Sequence, residues 1–151
     1  MSFIRPARAE DAPRIAEIYV INYRDNFYRF FHNDEYYFKE LLVTEVAKEY
    51  SEGSQALGCC YVYDDGVIKG FIRVNGREIE KLFVEKHFQS RGVGAALLDY
   101  AVKDLSASML WVLEFNERGI QFYRRHGFEL TGEKMVEDEW VPLLKMERRG
   151  N

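Results

Sequence analysis

The stretch REIEKLFVEKHFQSRGVGAALLDYAVKDL, residues 77–105, determines the fold that this sequence predicts. Its first part alternates between two kinds of side chain, which is the period of a β-strand. From Gly92 onward, apolar residues recur at spacings of three and four, which predicts a helix with one broad apolar side. The alternation places Ile79, Lys81 and Phe83 on one face of the strand and Glu78, Glu80, Leu82 and Val84 on the other.

The predicted helix begins at a loop with two closely spaced glycines, Gly92 and Gly94. A helix start leaves backbone N–H groups unpaired and carries a partial positive charge, and glycines there let a ligand approach without meeting a β-carbon. The pattern Gln89-x-x-Gly92-x-Gly94 lacks the third glycine of a dinucleotide fingerprint and the Lys-Ser/Thr of a nucleotide P-loop. It therefore predicts an anion-binding loop of another class, with a close helix-to-strand contact as the alternative.

Two segments carry a resemblance to a known family. Leu82-Phe83-Val84, followed by QSRGVGAALL at residues 89–98, resembles the acetyl-coenzyme A signature of the GCN5-related N-acetyltransferases, the GNAT family. NERGIQFYRRHGF, residues 116–128, is similar to the family pattern Asn-x-x-Ala-x-x-Phe-Tyr-x-x-x-Gly-Phe, with Gly119 where alanine is usual. The resemblance implies a single-domain α/β acyl-CoA N-acyltransferase fold over residues 1–151, with a mixed central sheet of about seven strands and about four helices.

Composition narrows the class of protein further. A chain of 151 residues fits one domain with a sizeable core. Its 21 basic and 25 acidic residues give a net charge of −4, which argues against a nucleic-acid partner held by phosphate contacts. The adjacent cysteines Cys59 and Cys60 are poorly spaced for a disulfide or a metal site, so no metal is expected. Without a signal core or the ~18 apolar residues of a membrane span, the protein is expected to be cytoplasmic and without a membrane partner.

The resemblance implies acetyl-coenzyme A as cosubstrate. In the family, the fourth and fifth strands separate at one end and the pantetheine arm lies in the gap. The segment Leu82-Phe83-Val84 would then supply main-chain hydrogen bonds to that arm, from Leu82 and Val84. The pyrophosphate would lie on the N–H groups of the loop, with added charge from Arg91 unless that side chain is simply a solvated surface residue. The loop residues implicated are Gln89, Ser90, Arg91, Gly92, Val93 and Gly94.

Asn116 and Tyr123 lie two helical turns apart and so face the same side of their helix. The resemblance places both near the thioester sulfur. Amine attack on a thioester expels a thiolate, and a tyrosine hydroxyl can protonate it because phenol and thiol pKa values differ by roughly two units. Tyr123 is therefore predicted to be the general acid. The alternatives are a packed tyrosine at 123 and a plain helix cap at 116.

The acceptor amine is mostly protonated near neutral pH, so a carboxylate is expected to remove its proton directly or through a water. Family members often place one on the fourth strand. Glu78 matches that position by its distance from the glycine loop, and Glu80 is its neighbour nearer the gap. The sequence leaves the choice between them open.

The region from residue 23 to 38 is densely aromatic, which suggests a helical roof over an acceptor pocket that includes Tyr23, Phe27 and Tyr28. Ordinary packing of two helices on a sheet is the alternative. Three local predictions accompany it: Asp11 caps the first helix, residues 35–50 form a second helix, and residues 56–63 form a strand.

The leading functional hypothesis is transfer of an acetyl group from acetyl-coenzyme A to a primary amine by direct attack in a ternary complex. The acceptor could be a small amine, a polyamine, an amino acid, or a peptide N-terminus or lysine, and the protein a monomer or a homodimer. The alternative is a catalytically silent acetyl-coenzyme A sensor or interaction module of the same fold. Retention of Tyr123 and of two candidate carboxylates favours the enzyme.

Overall fold

A computed structural model describes residues 2–149 of the chain. Seven strands form one sheet, and helices pack on both of its faces. The elements are β1 (Ile4–Pro6), α1 (Ala12–Phe31), α2 (Val43–Glu49), α3 (Gln55–Gly58), β2 (Cys60–Asp64), β3 (Ile68–Asn75), β4 (Glu78–Val84), α4 (Val93–Leu105), β5 (Met109–Leu113), α5 (Glu117–Arg125), β6 (Phe128–Glu137) and β7 (Val141–Arg148). The predicted α/β class and strand number are confirmed.

The sheet has the strand order β1-β2-β3-β4-β5-β7-β6. Strands β1 to β4 pair antiparallel, with β2, β3 and β4 joined as a meander, and β5, β7 and β6 form a second antiparallel group. The two groups meet where β4 and β5 pair in parallel, with α4 as the crossover between them. A parallel pair requires such a crossover.

The contact between β4 and β5 is short. Only Glu78 with Met109 and Ile79 with Leu110 are paired, although β4 continues to Val84 and β5 to Leu113. Beyond these pairs the strands diverge and leave a wedge-shaped gap in the middle of the sheet. No neighbouring strand takes the backbone groups on the inner edges of this gap, so those that side chains do not bind are available to a ligand.

A β-bulge in β4 lies at the start of this gap. Arg73 of β3 is opposite Lys81 and Val74 is opposite Ile79, so Glu80 is the extra residue of the bulge. An extra residue reverses the inside-outside alternation on its far side.

This bulge makes the predicted division of β4 into two faces wrong. Ile79 packs in the same cluster as Leu82 and Val84, beside α4, whereas Phe83 packs in the opposite cluster, beside α1. Strict alternation had grouped Ile79 with Phe83. The consequence is that the α1 face of the gap carries Lys81 together with Glu78 and Glu80, the two carboxylates that strict alternation had grouped with Leu82 and Val84.

The predicted helix over residues 35–50 is interrupted. A π turn at Tyr36–Glu40 ends at Leu41, Leu42 is extended, and α2 begins only at Val43. The side chain of Arg24 in α1 stabilises the break, since its guanidinium donates to the carbonyls of Tyr37 at 3.0 Å and Leu41 at 3.1 Å. The helical pattern of the sequence contains no signal for this long-range cap.

The predicted strand over residues 56–63 begins later than expected. Residues 55–58 form the short helix α3, because the hydroxyl of Ser54 accepts a hydrogen bond from the Leu57 N–H at 3.1 Å. This is an ordinary N-cap contact. The strand β2 then starts at Cys60.

Asp11 does not cap α1 as predicted. Its side chain is buried, at 7% exposure, and accepts hydrogen bonds from both terminal nitrogens of Arg5, at 2.8 and 3.1 Å, and from the Arg8 N–H at 2.8 Å. Arg5 also binds Asp64 of β2 at 3.0 Å. This network joins the first strand to the start of α1.

Among residues 2–149 there is no helix long and apolar enough to cross a membrane.

Asp11→Ala should lower the free energy of unfolding by about 2–3 kcal/mol, because hydrogen bonds to charged groups are lost and Arg5 keeps only one carboxylate. Burial acts to raise the pKa of Asp11, but the contacts with Arg5 and Arg8 outweigh it and the pKa is lowered overall. The Asp11 contribution is therefore complete at neutral pH and is lost as pH falls below about 4. Urea unfolding at pH 7 and pH 3 measures both effects. Glu45→Ala, at an exposed surface pair, is the control and should change little.

Candidate active site

The gap between β4 and β5 opens into a cavity of about 500 Å³. Both strands contribute to its wall, and α1, the π turn, α5 and the β6–β7 hairpin enclose it. It therefore connects the coenzyme side of the predicted site, at α5, with the predicted acceptor side, at α1. Its lining includes the predicted site residues Tyr23, Phe27, Glu78, Glu80, Leu82, Phe83, Asn116 and Tyr123.

The glycine loop lies just outside this cavity, at the start of α4. Gly92 has a φ of 86°, which favours glycine, and Ser90 adopts a left-handed φ of 63°. The first N–H that bonds within the helix is that of Ala96, to the Gly92 carbonyl at 3.0 Å. The preceding N–H groups of α4 consequently have no helical carbonyl to bind, and they face the exposed loop formed by Ser90, Arg91 and Gly92. This geometry suits a polyanion.

Two members of the predicted loop have roles in packing. The Val93 side chain is buried in the core, so only its main chain is available to a ligand. A β-carbon at Gly94 would lie 3.5 Å from Val84 and 3.6 Å from Phe122, an ordinary contact distance, so the protein itself does not require glycine there. Glycine at 94 instead leaves the space beside Val84 open.

The Gln89 side chain holds the loop in place. Its amide donates to the Val84 carbonyl at 3.1 Å, and it lies 3.4 Å from the Asn22 amide oxygen. Asn22 is buried in α1 and also donates to the Val84 carbonyl, at 3.1 Å. The end of β4 is thus clamped between α1 and the glycine loop. The predicted contribution of Gln89 to coenzyme binding is restricted by this clamp to its main chain.

Asn116 caps α5. Its amide oxygen accepts a hydrogen bond from the Gly119 N–H at 2.9 Å. A β-carbon at Gly119 would lie only 2.4 Å from the Asn116 amide nitrogen. Glycine therefore permits this cap conformation, and the departure from the family alanine has a steric reason. The cap alternative holds for Asn116, which also lines the cavity.

Tyr123 lines the cavity. Its ring packs against Phe128 at 5.9 Å between centroids, and its hydroxyl makes no hydrogen bond to any protein group within residues 2–149. Burial raises the pKa of Tyr123 above its usual value of 10.0. The hydroxyl consequently stays protonated at neutral pH and is free to donate to a ligand.

The two candidate bases have different surroundings. Glu80 accepts a hydrogen bond from Arg73 at 2.9 Å, and Asn75 lies 3.4 Å from its second oxygen. Glu78 has neither a hydrogen bond nor an ion pair from its carboxylate within the described part of the chain. Burial, followed by the charge of Glu80, raises the pKa of Glu78 above 4.5. Glu78 thus has free lone pairs in the cavity, whereas those of Glu80 are engaged.

The aromatic region divides between two places. Tyr23 and Phe27 line the cavity and contact each other edge to face at 5.2 Å. Tyr28 lies instead at a separate surface depression, where it packs on Phe38 at 5.3 Å and hydrogen-bonds Asp34. The structure therefore brings two of the three predicted pocket residues together and leaves the third outside.

The β6–β7 hairpin, whose residues 133–140 were expected from the sequence to contribute to acceptor specificity, lines the acceptor side of the cavity. Trp140 of this hairpin contacts Phe31 at 4.7 Å and Tyr36 at 5.4 Å, and so closes the cavity opposite β4. Glu137 and Asp138 of the same hairpin also line it. Sequence reasoning missed Lys81, because alternation within β4 carries no signal of the bulge that directs this side chain to the α1 face. No group of metal-binding side chains was found in the part of the chain that the structure describes.

Comparison with known proteins identifies the family. Residues 23–149 match the acetyltransferase (GNAT) domain family. The chain belongs to the GNAT acetyltransferase family. The GNAT match covers both motifs, the gap between the strands and every residue that lines the cavity except Tyr19.

Relatives of this GNAT chain include the peptidyl-lysine N-acetyltransferase YjaB of Escherichia coli, which is 32% identical over 79 residues. That match covers 51% of this chain and 54% of YjaB, so the chain spans about half the length of the curated relatives it matches. The solution structure of apo YjaB has a TM-score of 0.79 at 26% identity and covers 98% of this chain and 97% of its own. A PaiA N-acetyltransferase from Thermoplasma acidophilum, solved with coenzyme A, has a TM-score of 0.60 at 19% identity, with coverage of 95% and 97%, which shows the shared fold.

Proposed function

We propose that this chain transfers an acetyl group from acetyl-coenzyme A to a primary amine by direct attack within a ternary complex. One observation carries the proposal. The gap between β4 and β5 leads from the N–H groups at the start of α4 into a cavity with two groups that have no hydrogen-bond partner within residues 2–149, the Glu78 carboxylate and the Tyr123 hydroxyl. An acid and a base on either side of a thioester are what amine acylation requires.

The loop at residues 89–94 and the gap supply the coenzyme-binding surface in this proposal. The pyrophosphate lies on the N–H groups at the start of α4, where the helix dipole and Arg91 favour negative charge. The pantetheine arm lies along the inner edge of β4 and takes main-chain hydrogen bonds from Leu82 and Val84. Its thioester then reaches the cavity near the bulge at Glu80, because the strands begin to diverge there.

The chemistry uses the two unpaired groups. Glu78 takes the proton of the acceptor ammonium, and the free amine attacks the thioester carbonyl. The carbon–nitrogen bond forms as the carbon–sulfur bond breaks, and Tyr123 donates its proton to the departing thiolate. The second proton that the nitrogen loses on becoming an amide restores the Tyr123 hydroxyl, and Glu78 releases its own proton to water. The hydroxyl is available for this step because a phenol is protonated across the neutral range, and the upward shift of the Tyr123 pKa by burial preserves that state.

The cysteines support direct transfer over a covalent route. Neither Cys59 nor Cys60 lines the cavity. Burial raises the pKa of Cys60 to about 12, so its nucleophilic thiolate form is scarce near neutral pH. Attack by the amine on the coenzyme thioester itself requires neither residue.

The experiment that tests the proposal is thiol release from acetyl-coenzyme A with a panel of amines that includes lysine peptides, peptide N-termini, polyamines and amino acids. A time-dependent, amine-dependent release supports an enzyme. Coenzyme A that raises the thermal midpoint without turnover on any amine would favour the silent binding module instead. Neither stabilisation nor turnover would contradict the assignment of the glycine loop.

Gly92→Ala should weaken coenzyme A binding by about tenfold. Alanine is strained at the left-handed φ of 86° that residue 92 adopts, and relief of this strain would change the direction of the N–H groups at the start of α4. Gly66 is the matched control. It has a φ of 114°, open space around the position that a β-carbon would take, and a place in the β2–β3 turn away from the cavity. Gly66→Ala should cost similar stability and leave coenzyme A affinity unchanged by calorimetry. Equal affinities of the two variants would refute the role of the loop.

A further inference from the structure

Lys81 is the ammonium group on the wall of the acceptor cavity. The bulge at Glu80 directs its side chain to the α1 face, where its Nζ lies 2.5 Å from the Tyr23 hydroxyl. The same nitrogen lies 5.5 Å from the Tyr19 ring centroid and 5.2 Å from that of Tyr23. Lys81 is thus held in place by neutral aromatic residues at the edge of the cavity.

This ammonium has no carboxylate partner within 4 Å among residues 2–149. Other shielded lysines do have one: Lys69 lies 2.6 Å from Asp65, and Lys145 lies 3.3 Å from Glu133. The shielded Arg73, on the neighbouring strand, lies 2.9 Å from Glu80. Lys81 therefore differs from these three shielded cationic side chains in having no carboxylate partner, even though carboxylates line the same cavity.

A shielded charge without a counter-charge is costly. The two aromatic rings offset part of this cost through cation–π attraction, and Tyr23 accepts one hydrogen bond. An ammonium has three donors, so two N–H groups of Lys81 remain for another partner. An anionic group in the cavity would supply the missing counter-charge and accept hydrogen bonds from these two N–H groups.

Building on the proposed acetyl transfer, we propose that the acceptor is an amine that also carries a carboxylate, and that Lys81 binds this carboxylate. Glu78 lies three positions before Lys81, and both line the cavity, so one strand presents a site for the amine beside a site for the anion. A phosphate dianion fits less well, because Glu78, Glu80, Glu137 and Asp138 all line the same space and repel extra negative charge. The class of acceptor is a zwitterionic amine such as a free amino acid.

Matched pairs of acceptors test this inference. Each amino acid in a series of increasing chain length is compared with its own carboxamide, which keeps the amine and loses the negative charge. Rates are compared at equal concentrations of unprotonated amine. In the wild-type protein, kcat/KM for the carboxylate should exceed that for the carboxamide by about tenfold or more for at least one chain length.

Variants of Lys81 test whether this side chain causes the preference for the carboxylate acceptor. In Lys81→Met the ratio of carboxylate to carboxamide should fall to near one, while Lys81→Arg should keep most of the preference because it keeps the charge. Lys69→Met, at a shielded lysine outside the cavity lining, should keep the wild-type ratio. Thermal midpoints of all variants identify any that fail to fold, and Lys81→Gln, which also removes the charge, takes the place of Lys81→Met if that variant is one of them.

A wild-type ratio near one, or a preference that survives Lys81→Met, would overturn the inference. So would a lysine peptide without a nearby anion that outperforms every amino acid. Each of these outcomes includes turnover and leaves the proposed function intact. Failure of the proposed function gives a different result, namely no thiol release with either member of any pair.

Discussion

Tyr123→Phe should lower kcat for acetyl transfer by about 10²–10⁴-fold, the usual contribution of a positioned general acid. The loss should fall on kcat, since the phenol donates to a thiolate that develops only as the carbon–sulfur bond breaks. Coenzyme A affinity should stay the same. Stability should also hold, because the hydroxyl makes no hydrogen bond within residues 2–149 and the ring contact with Phe128 is kept. Steady-state kinetics and a thermal scan measure these quantities.

Tyr100→Phe is the matched control for this substitution. Tyr100 lies in α4, packs on Tyr61 at 5.3 Å and does not line the cavity. Its loss of a hydroxyl should leave kcat unchanged. If Tyr123→Phe retained wild-type kcat with every amine that the protein accepts, the proton donor would have to be another group or a water.

Glu78→Gln should lower kcat/KM by about 10²–10⁴-fold near neutral pH, because the amide keeps the size of the side chain and cannot accept the ammonium proton. Glu80→Gln is the control that separates the two candidate bases. It disturbs the contact with Arg73 and should lower stability with a smaller effect on kcat/KM. The reverse order of effects would assign the base to Glu80.

The pH dependence of Glu78 follows from its raised pKa. Burial and the charge of Glu80 hold the pKa above 4.5, so the carboxylate is lost, and kcat/KM with it, as pH falls through that raised value. Glu78→Gln should remove this limb of the profile. A raised carboxyl pKa also means that the folded state binds the proton more tightly than the unfolded chain does, so ionised Glu78 destabilises the fold at neutral pH. The thermal midpoint of Glu78→Gln at pH 7 should therefore lie above that of the wild type.

The sequence was sufficient where local chemistry decides the structure. The turn with Gly92 before α4, the Asn116 cap and the left-handed conformation of Gly127 after α5 depend on contacts within a few residues, and all three are present. The strand β5 coincides with a short apolar run between polar residues, a pattern that has few other conformations. These elements carry both family motifs, which is why the fold could be predicted.

Long-range contacts explain what the sequence did not predict. The bulge at Glu80 depends on how β3 pairs with β4, and no alternation within β4 alone contains that register. The break at Leu42 depends on Arg24, which comes from another helix. The hairpin over residues 133–140 was expected to contribute to acceptor specificity, but its contact with α1 through Trp140 follows only from the fold. The acceptor side is built almost entirely from such contacts, so the sequence predicted the coenzyme side more completely.

Direct transfer within one complex is the central claim, and initial-velocity kinetics test it most directly. Rates are measured while acetyl-coenzyme A and the amine are varied together. A ternary complex predicts double-reciprocal lines that intersect, and no acetylated protein by intact-mass analysis when the amine is omitted. Parallel lines with an acetylated cysteine would indicate a covalent intermediate and would contradict the account.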